Sequence, residues 1–256
     1  SKDCKLVLDN TTVRNGENWE TQWLGGYSRG LDIPGNTVNV VEIKNNSKVF
    51  GWQYAVNEPS TGDSDGANII VDHSALLGWS GFNIWTDNST ITIRNQSTIT
   101  GTNGQYNSDQ TYCFSAIVIN GDIYNRGNPN ATGNHLIIAD STVTANTIGT
   151  VSPVETLIRI DRDNNSLELQ GTVTFTDNTN GAAGAVLDIG NMDDPIAFIE
   201  RHASLTDGVT VMTPNGNPLW PNYEVYYYWT GDGVYASLKD VLTSSNGMGL
   251  TSGEGI

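Results

Sequence analysis

Positive charge, cysteine and long apolar runs are all scarce in this sequence, and each shortage narrows what the chain can be. Only 12 of its 256 residues are Lys or Arg, against 28 Asp or Glu, giving a formal net charge of −16. A surface of that sign repels phosphate backbones and anionic lipid, so nucleic acid is not an expected partner. No apolar run approaches the roughly 18 residues that a membrane-spanning helix needs. The opening "SKDCKLVLD" has no apolar stretch of signal-peptide length, and the chain is read as a mature or trimmed fragment. Two cysteines, Cys4 and Cys113, make no disulfide framework and are read as separate thiols.

Charged residues of both signs make up 16% and hydrophobic residues 37%, so the polar surface must come from Asn, Thr, Ser and the 28 glycines. These residues are poor helix formers and good turn formers. A chain rich in turns and poor in long helices is expected, with a core used economically.

The stretch "FNIWTDNSTITIRNQSTITG" shows how. Ile91 and Ile93 alternate with Thr90, Thr92 and Arg94, the period of a strand with one buried face. Asn95, Gln96 and Ser97 break the pattern, Ile99 returns to the apolar face, and Gly101 closes the unit. The same spacing of two and then six fits Val41, Ile43, Val49; Ile69, Val71, Leu77; Leu167, Leu169, Phe175; and Ala197, Ile199, Leu205. Leu6, Leu8, Val13 and Leu136, Ile138, Val143 form copies one residue shorter. A further apolar strand often precedes the template, as in "GLDIPGNT", "SAIVINGDIYNRG", "LIRIDRDNNS" and "AVLDIGNMDDP". Self-similarity at irregular periods, with strands and no helices, predicts a solenoid. One unit cannot bury its own apolar face; stacked in parallel at ~4.8 Å, the units turn it into continuous aliphatic ladders. An antiparallel sandwich is the competing all-β arrangement, but it calls for two-residue hairpins and no in-phase strand triplet.

These coils, "ITIRNQSTITG" and "LIIADSTVTAN" above all, resemble the right-handed parallel β-helices of the pectin-lyase-like superfamily. They are most similar to its repetitive surface proteins and adhesins, over roughly residues 6 to 208. The resemblance implies an all-β, right-handed parallel β-helix over 1–212. Residues 213–256 form a C-terminal cap or the start of the next module of a longer protein. There "YYYWTGDGVYASLKDVLTSS" resembles a short strand and amphipathic helix of bacterial surface proteins, with Leu238, Val241 and Leu242 on one helical face.

The fold hosts many functions, so activity must be argued from residues. The hydrolase branch of the superfamily that the coils resemble is marked by Asn-Thr-Asp, Asp-Asp, Gly-His-Gly and Arg-Ile-Lys, in contrast to the surface proteins; only Asp193-Asp194 is present here, read as a turn pair before a strand. The lyase branch needs calcium and an Arg or Lys base, and the basic residues here do not cluster. Arg159, Arg162 and Arg201, near Asp161, Asp163 and Glu200, read as surface ion pairs. An ice-binding Thr-x-Thr array is hinted at by "STITIRNQSTIT" but is expected to be broken by Lys44, Glu168 and Glu200. His73 and His202 read as turn residues. Six Asn-x-Ser/Thr sequons, at Asn10, Asn45, Asn88, Asn95, Asn130 and Asn164, read as corner chemistry.

What remains is binding. Trp19, Trp23 and Tyr27 sit among Gly and polar residues outside the template, where aromatic faces can stack on sugar rings or cap the first coil. Trp52 and Trp79 each follow Gly at one point of the repeat and, if their coils are neighbours, are expected to stack outside or at a corner. Asp63 and Asp65, two apart before Gly66, resemble the start of a calcium loop without its later ligands. No cofactor is expected, calcium being the one the sequence leaves open. The expectation is a monomeric, non-catalytic module of a secreted or cell-wall-attached bacterial protein that binds a glycan or host component. The alternative is a polysaccharide lyase or glycoside hydrolase of the β-helix type.

Overall fold

The computed structural model describes residues 4–14, 28–59, 64–102, 115–119, 131–146, 156–177, 185–189, 192–220, 228–229 and 234–235. The chain divides into two compact units, Ser1–Pro221 and Asn222–Ile256.

The first unit is a stack of coils, each made of three strands. The first coil holds β1 (Lys5–Asp9), β2 (Thr12–Val13) and β3 (Arg29–Asp32); the second β4 (Val40–Lys44), β5 (Lys48–Phe50) and β6 (Tyr54–Glu58). The third holds β7 (Asn68–Asp72), β8 (Ala75–Gly78) and β9 (Ser80–Ile84); the fourth β10 (Thr90–Arg94), β11 (Thr98–Gly101) and β12 (Ile117–Ile119). The fifth holds β13 (His135–Ala139), β14 (Thr142–Ala145) and β15 (Ile158–Ile160); the sixth β16 (Ser166–Gln170), β17 (Thr172–Asp177) and β18 (Leu187–Asp188). A seventh begins with helix α1 (Pro195–Arg201) and continues into β19 (Thr210–Met212).

Equivalent strands pair in parallel into three sheets. Sheet A runs β1-β4-β7-β10-β13-β16, sheet B β2-β5-β8-β11-β14-β17-β19, and sheet C β3-β6-β9-β12-β15-β18. This is the parallel β-helix that the repeat predicts.

Register places the template residues in columns. Leu6, Val41, Ile69, Ile91, Leu136 and Leu167 are successive partners in sheet A. Val13, Val49, Leu76, Ile99, Val143 and Phe175 are partners in sheet B, and Leu31, Val56, Phe82, Ile117, Ile158 and Leu187 in sheet C. Away from the first coil, most of these side chains have no exposed surface. Each such burial contributes roughly 1.5–3 kcal/mol as an upper estimate. Trp52 and Trp79 lie in neighbouring coils with ring centroids 6.2 Å apart, the corner stacking that their shared position predicts.

The A-to-B corner explains why the repeat has two lengths. In the second and fourth coils, where the spacing is six, two successive residues take the left-handed conformation, Asn45 with Asn46 and Asn95 with Gln96; in the sixth, where Val173 and Phe175 both face inward, Gly171 does so alone. Where the spacing is five, one residue does: Asn10, His73 or Asp140. Asn, Asp and His enter this region more readily than other non-glycine residues. A serine then turns inward. Ser47 and Ser97 donate to the carbonyls of Lys44 and Arg94, and each accepts an N–H from a neighbouring coil, Thr11 and Ser74. Asn10, Asn45, Asn88 and Asn95, read as sequon starts, all sit at left-handed corner positions.

Two template copies are corrected. In the third coil the inward residue of sheet B is Leu76, paired with Ile99, not Leu77. His73 turns this corner alone, so the apolar phase returns one residue sooner. The copy at Ala197, Ile199 and Leu205 is not a strand but α1 and the turns after it. Asp194 caps the helix by accepting the Ala197 N–H, and Pro195 stands in its first turn, where a missing N–H costs nothing. Asp193-Asp194 is thus a turn before a helix.

The helix also accounts for His202. Its Nδ1–H donates to the Phe198 carbonyl, and its Nε2 accepts the Leu167 N–H at the outer edge of β16. Burial holds the imidazole below its ordinary pKa; the Phe198 carbonyl opposes this, and nearby Arg201 adds to it. The neutral ring thereby supplies an acceptor for one edge N–H where a seventh sheet A strand would have paired. Phe198 is fully buried beside it, and Trp220 packs against both rings.

In the second unit, β20 (Tyr228–Trp229) and β21 (Val234–Tyr235) pair antiparallel. The amphipathic segment with Leu238, Val241 and Leu242 lies outside the described residues.

Candidate functional site

Sheet C is closed on both faces: Asn57, Asn83, Val118 and Arg159 alternate with the core ladder yet are almost fully buried. Its polar column is bonded to itself. Asn57 Nδ2 donates to Asp32 Oδ1 at 2.6 Å, Asn83 Nδ2 to Asn57 Oδ1 at 2.6 Å, and Trp85 Nε1 to Asn83 Oδ1 at 2.9 Å. Arg159 and Asp161, expected on the surface, form a buried bidentate pair at 2.7 and 3.1 Å. They lie two apart on the face of sheet C that is covered rather than open. Arg201 bonds the Asp163 carbonyl and stacks on Phe198, with no ion pair to a carboxylate among the described residues.

Glu58 is a second buried titratable group of sheet C. It occupies an inward position of sheet C whose partners in the next coils are Ile84, Ile119 and Ile160. Its Oε1 accepts the Ala67 N–H at 2.8 Å, and its Oε2 accepts Ser89 Oγ at 2.6 Å and Thr86 Oγ1 at 2.9 Å. Burial raises its pKa above the ordinary carboxylate value, against the pull of those three hydrogen bonds. A Cβ on Gly66 would meet Ser89 Oγ at 1.8 Å, so only glycine lets the corner close over this carboxyl. The carboxyl has no exposed surface and is a structural element, not a site for solutes.

The accessible candidate is the A-to-B corner. A polar cavity of about 730 Å³ lies along it, lined by Asn45, Asp72, His73, Asn95, Gln96, Asp140, Ser141, Thr142, Thr172 and Thr174. Those residues come from five consecutive coils, the second to the sixth. The floor is rigid: Asn46 N–H donates to the His73 carbonyl, His73 N–H to Arg94, and Gln96 N–H to Asp140. Asp72 is partly buried, which opposes ionisation. Hydrogen bonds from Asn95 at 2.8 Å and Arg94 at 2.8 Å, with the Arg94 charge, outweigh that and hold its pKa below the usual value. Asp140 accepts the Thr172 N–H at 2.8 Å.

The walls keep unused hydrogen-bonding capacity. Among the described residues, the Gln96 amide and the hydroxyls of Thr142, Thr172 and Thr174 bond no protein group. Thr98, Thr142 and Thr174 are register partners, and so are Thr100, Thr144 and Thr176. The Thr-x-Thr array is therefore in phase. Lys44 and Glu168, thought to break it, lie in sheet A, and Glu200 lies in α1. Thr100 and Thr144 are only 8% exposed, however, so the array is not the open flat face that ice binding requires.

Trp19, Trp23, Tyr27 and Asp63 lie outside the described residues, as does Cys113. Asp65 is at the corner between sheets C and A: it bridges to Asp87, and its Oδ1 accepts Asn88 Nδ2 at 2.8 Å. No group of three His, Cys, Asp or Glu among the described residues is arranged to hold a metal ion. Cys4, at the entry to the first coil, is exposed. No described helix is long and apolar enough to cross a membrane. The corner cavity was missed in the sequence because its residues are spread over five coils and look individually like turn formers. The visible signal was the polar break recurring at one phase of the repeat. Comparison with family models, with curated proteins and with solved structures finds no match for the chain.

Proposed function

We propose that this chain is a non-catalytic, glycan-binding module of a large secreted or cell-wall-attached bacterial protein, monomeric and acting in extension from the surface and adhesion. The pectin-lyase-like resemblance of the coils belongs to the same proposal. The observation that carries it is the corner cavity: a groove fixed by main-chain bonds, with amide and hydroxyl groups left unused along it. Sugars are recognised by such hydrogen-bonding groups when they are held in place beforehand, because less entropy is lost on binding. Asp72 is held ionised by Arg94 and Asn95, which suits a hydrogen-bond acceptor better than a general acid.

A glycan array probed with the whole chain, followed by chromatography of any retained oligosaccharide, tests this. The expected result is retention of at least one glycan class, recovered at its original length. No retained glycan would overturn the proposal. Shortened chains would establish the alternative, a polysaccharide-cleaving β-helix enzyme.

A further inference from the structure

The corner groove and the coil spacing together restrict what kind of glycan fits. Resting on the glycan-binding reading above, we propose that the groove takes an extended, uncharged β-1,4-linked polysaccharide, its chain along the stacking direction with about one sugar per coil.

The first argument is periodicity. Asn45, His73, Gln96, Thr142 and Thr174 represent five successive coils along the cavity. Four steps of parallel pairing at ~4.8 Å make the row ~19 Å long. A β-1,4-linked chain is a flat ribbon that advances by one sugar over nearly one such step. Successive sugars are related by a half-turn, so like groups return to one edge of the ribbon at every second coil, while every coil still meets a hydroxyl-bearing edge. An α-1,4-linked chain curls and loses phase after one or two sugars.

The second argument is the chemistry of the lining. Every lining residue is polar, and none is Trp, Tyr, Phe or aliphatic. The groove therefore meets the hydroxyl-bearing edge of the ribbon rather than the face of a ring. The Gln96 amide supplies donors and an acceptor, and each threonine hydroxyl supplies one donor and accepts as well. These groups need no rearrangement to be offered, because the threonines stand on paired strands.

The third argument is charge. Asp72 and Asp140 line the groove, and the nearby cations among the described residues are paired, Arg94 with Asp72 at 2.8 Å and Lys44 with Glu42 at 3.4 Å. The chain as a whole carries −16. Uronates and sulfated sugars would enter against that field, with the described lysine and arginine beside the groove already engaged. An uncharged ribbon meets no such penalty.

Titration calorimetry on the whole chain tests the proposal. The probes are the hexamers of β-1,4-linked glucose and of β-1,4-linked N-acetylglucosamine, with maltohexaose and hexagalacturonate as comparisons. At least one extended neutral hexamer is expected to bind, with its dimer at least tenfold weaker. The double variant Thr142→Val, Thr174→Val should weaken that hexamer at least tenfold with an unchanged thermal midpoint, since valine keeps the β-branched shape. Gln96→Gly, which suits the left-handed backbone there, should weaken it by an independent route. The proposal is overturned if neither neutral hexamer binds, if maltohexaose or hexagalacturonate binds as tightly, or if these variants bind like the wild type. A glycan held equally by wild type and variants would remove the groove and leave the glycan-binding reading standing. A wild-type chain that retains no glycan on the array would remove that reading itself.

Discussion

Glu58→Ala is expected to lower the stability of the first unit by about 3 kcal/mol or more, while Glu58→Gln leaves it as stable or more stable at neutral pH. The alanine removes the acceptor of the Ala67 N–H and of two hydroxyls, all buried. A buried donor without a partner costs about 1–3 kcal/mol. Thr86 and Ser89, already 2.9 Å apart, can satisfy one another in part, which keeps the total below the sum. Glutamine is nearly the same shape, still accepts from Ala67, and carries no charge to desolvate. The two variants also separate by pH. Burial raises the folded-state pKa of Glu58 above the ordinary carboxylate value. The stability contributed by the protonated carboxyl is therefore complete below the unfolded-state pKa and is lost as pH rises through the folded-state value. Wild type should lose stability relative to Glu58→Gln from acid toward neutral pH, and the two should converge in acid. Denaturant unfolding of both across that range checks it. A glutamine variant less stable than wild type at neutral pH would show that the charged carboxylate is the favoured form.

Ile93→Ala is expected to cost about 2–5 kcal/mol, and the neighbouring Thr92→Ala less than about 0.5 kcal/mol. Ile93 is fully buried between Val71 and Ile138 in the second sheet A ladder. Parallel stacking leaves no slack there, because the coils above and below are fixed by their own hydrogen bonds and cannot collapse into the gap. Thr92 pairs with Ile70 and Ile137 on the outward face, where solvent fills the space. Chemical denaturation of both variants reads the difference. Equal costs would mean that the period-two alternation does not map onto inside and outside.

That alternation is why the fold could be read from the sequence at all. Ile91, Ile93 and Ile99 repeat their spacing because each coil must put its apolar atoms at the same height as its neighbours. The errors arose where another principle governed the same letters. Leu76 and Leu77 are both apolar, and only the number of left-handed residues at the His73 corner decides which one faces inward. Ala197, Ile199 and Leu205 match the spacing of the template, but Asp194 caps and Pro195 opens a helix over the first two of them. Arg159 and Asp161 look like surface charges, and nothing local shows that the outer face of sheet C is covered. The groove was less visible still. His73, Gln96 and Thr174 come together only through register, a property of the stack rather than of any one segment.

The in-phase stack is also the central claim, since both the aliphatic ladders and the groove depend on it. Val7, Glu42, Ile70, Thr92, Ile137 and Glu168 are successive partners on the outward face of sheet A. Spin labels at Val7 and Ile137, and at Val7 and Glu168, in a chain without other cysteines, report their separations by pulsed electron resonance. The backbone separations should be ~19 Å for the first pair and ~24 Å for the second, one ~4.8 Å step further. Equal distances for the two pairs, or a second distance shorter than the first, would contradict the stack.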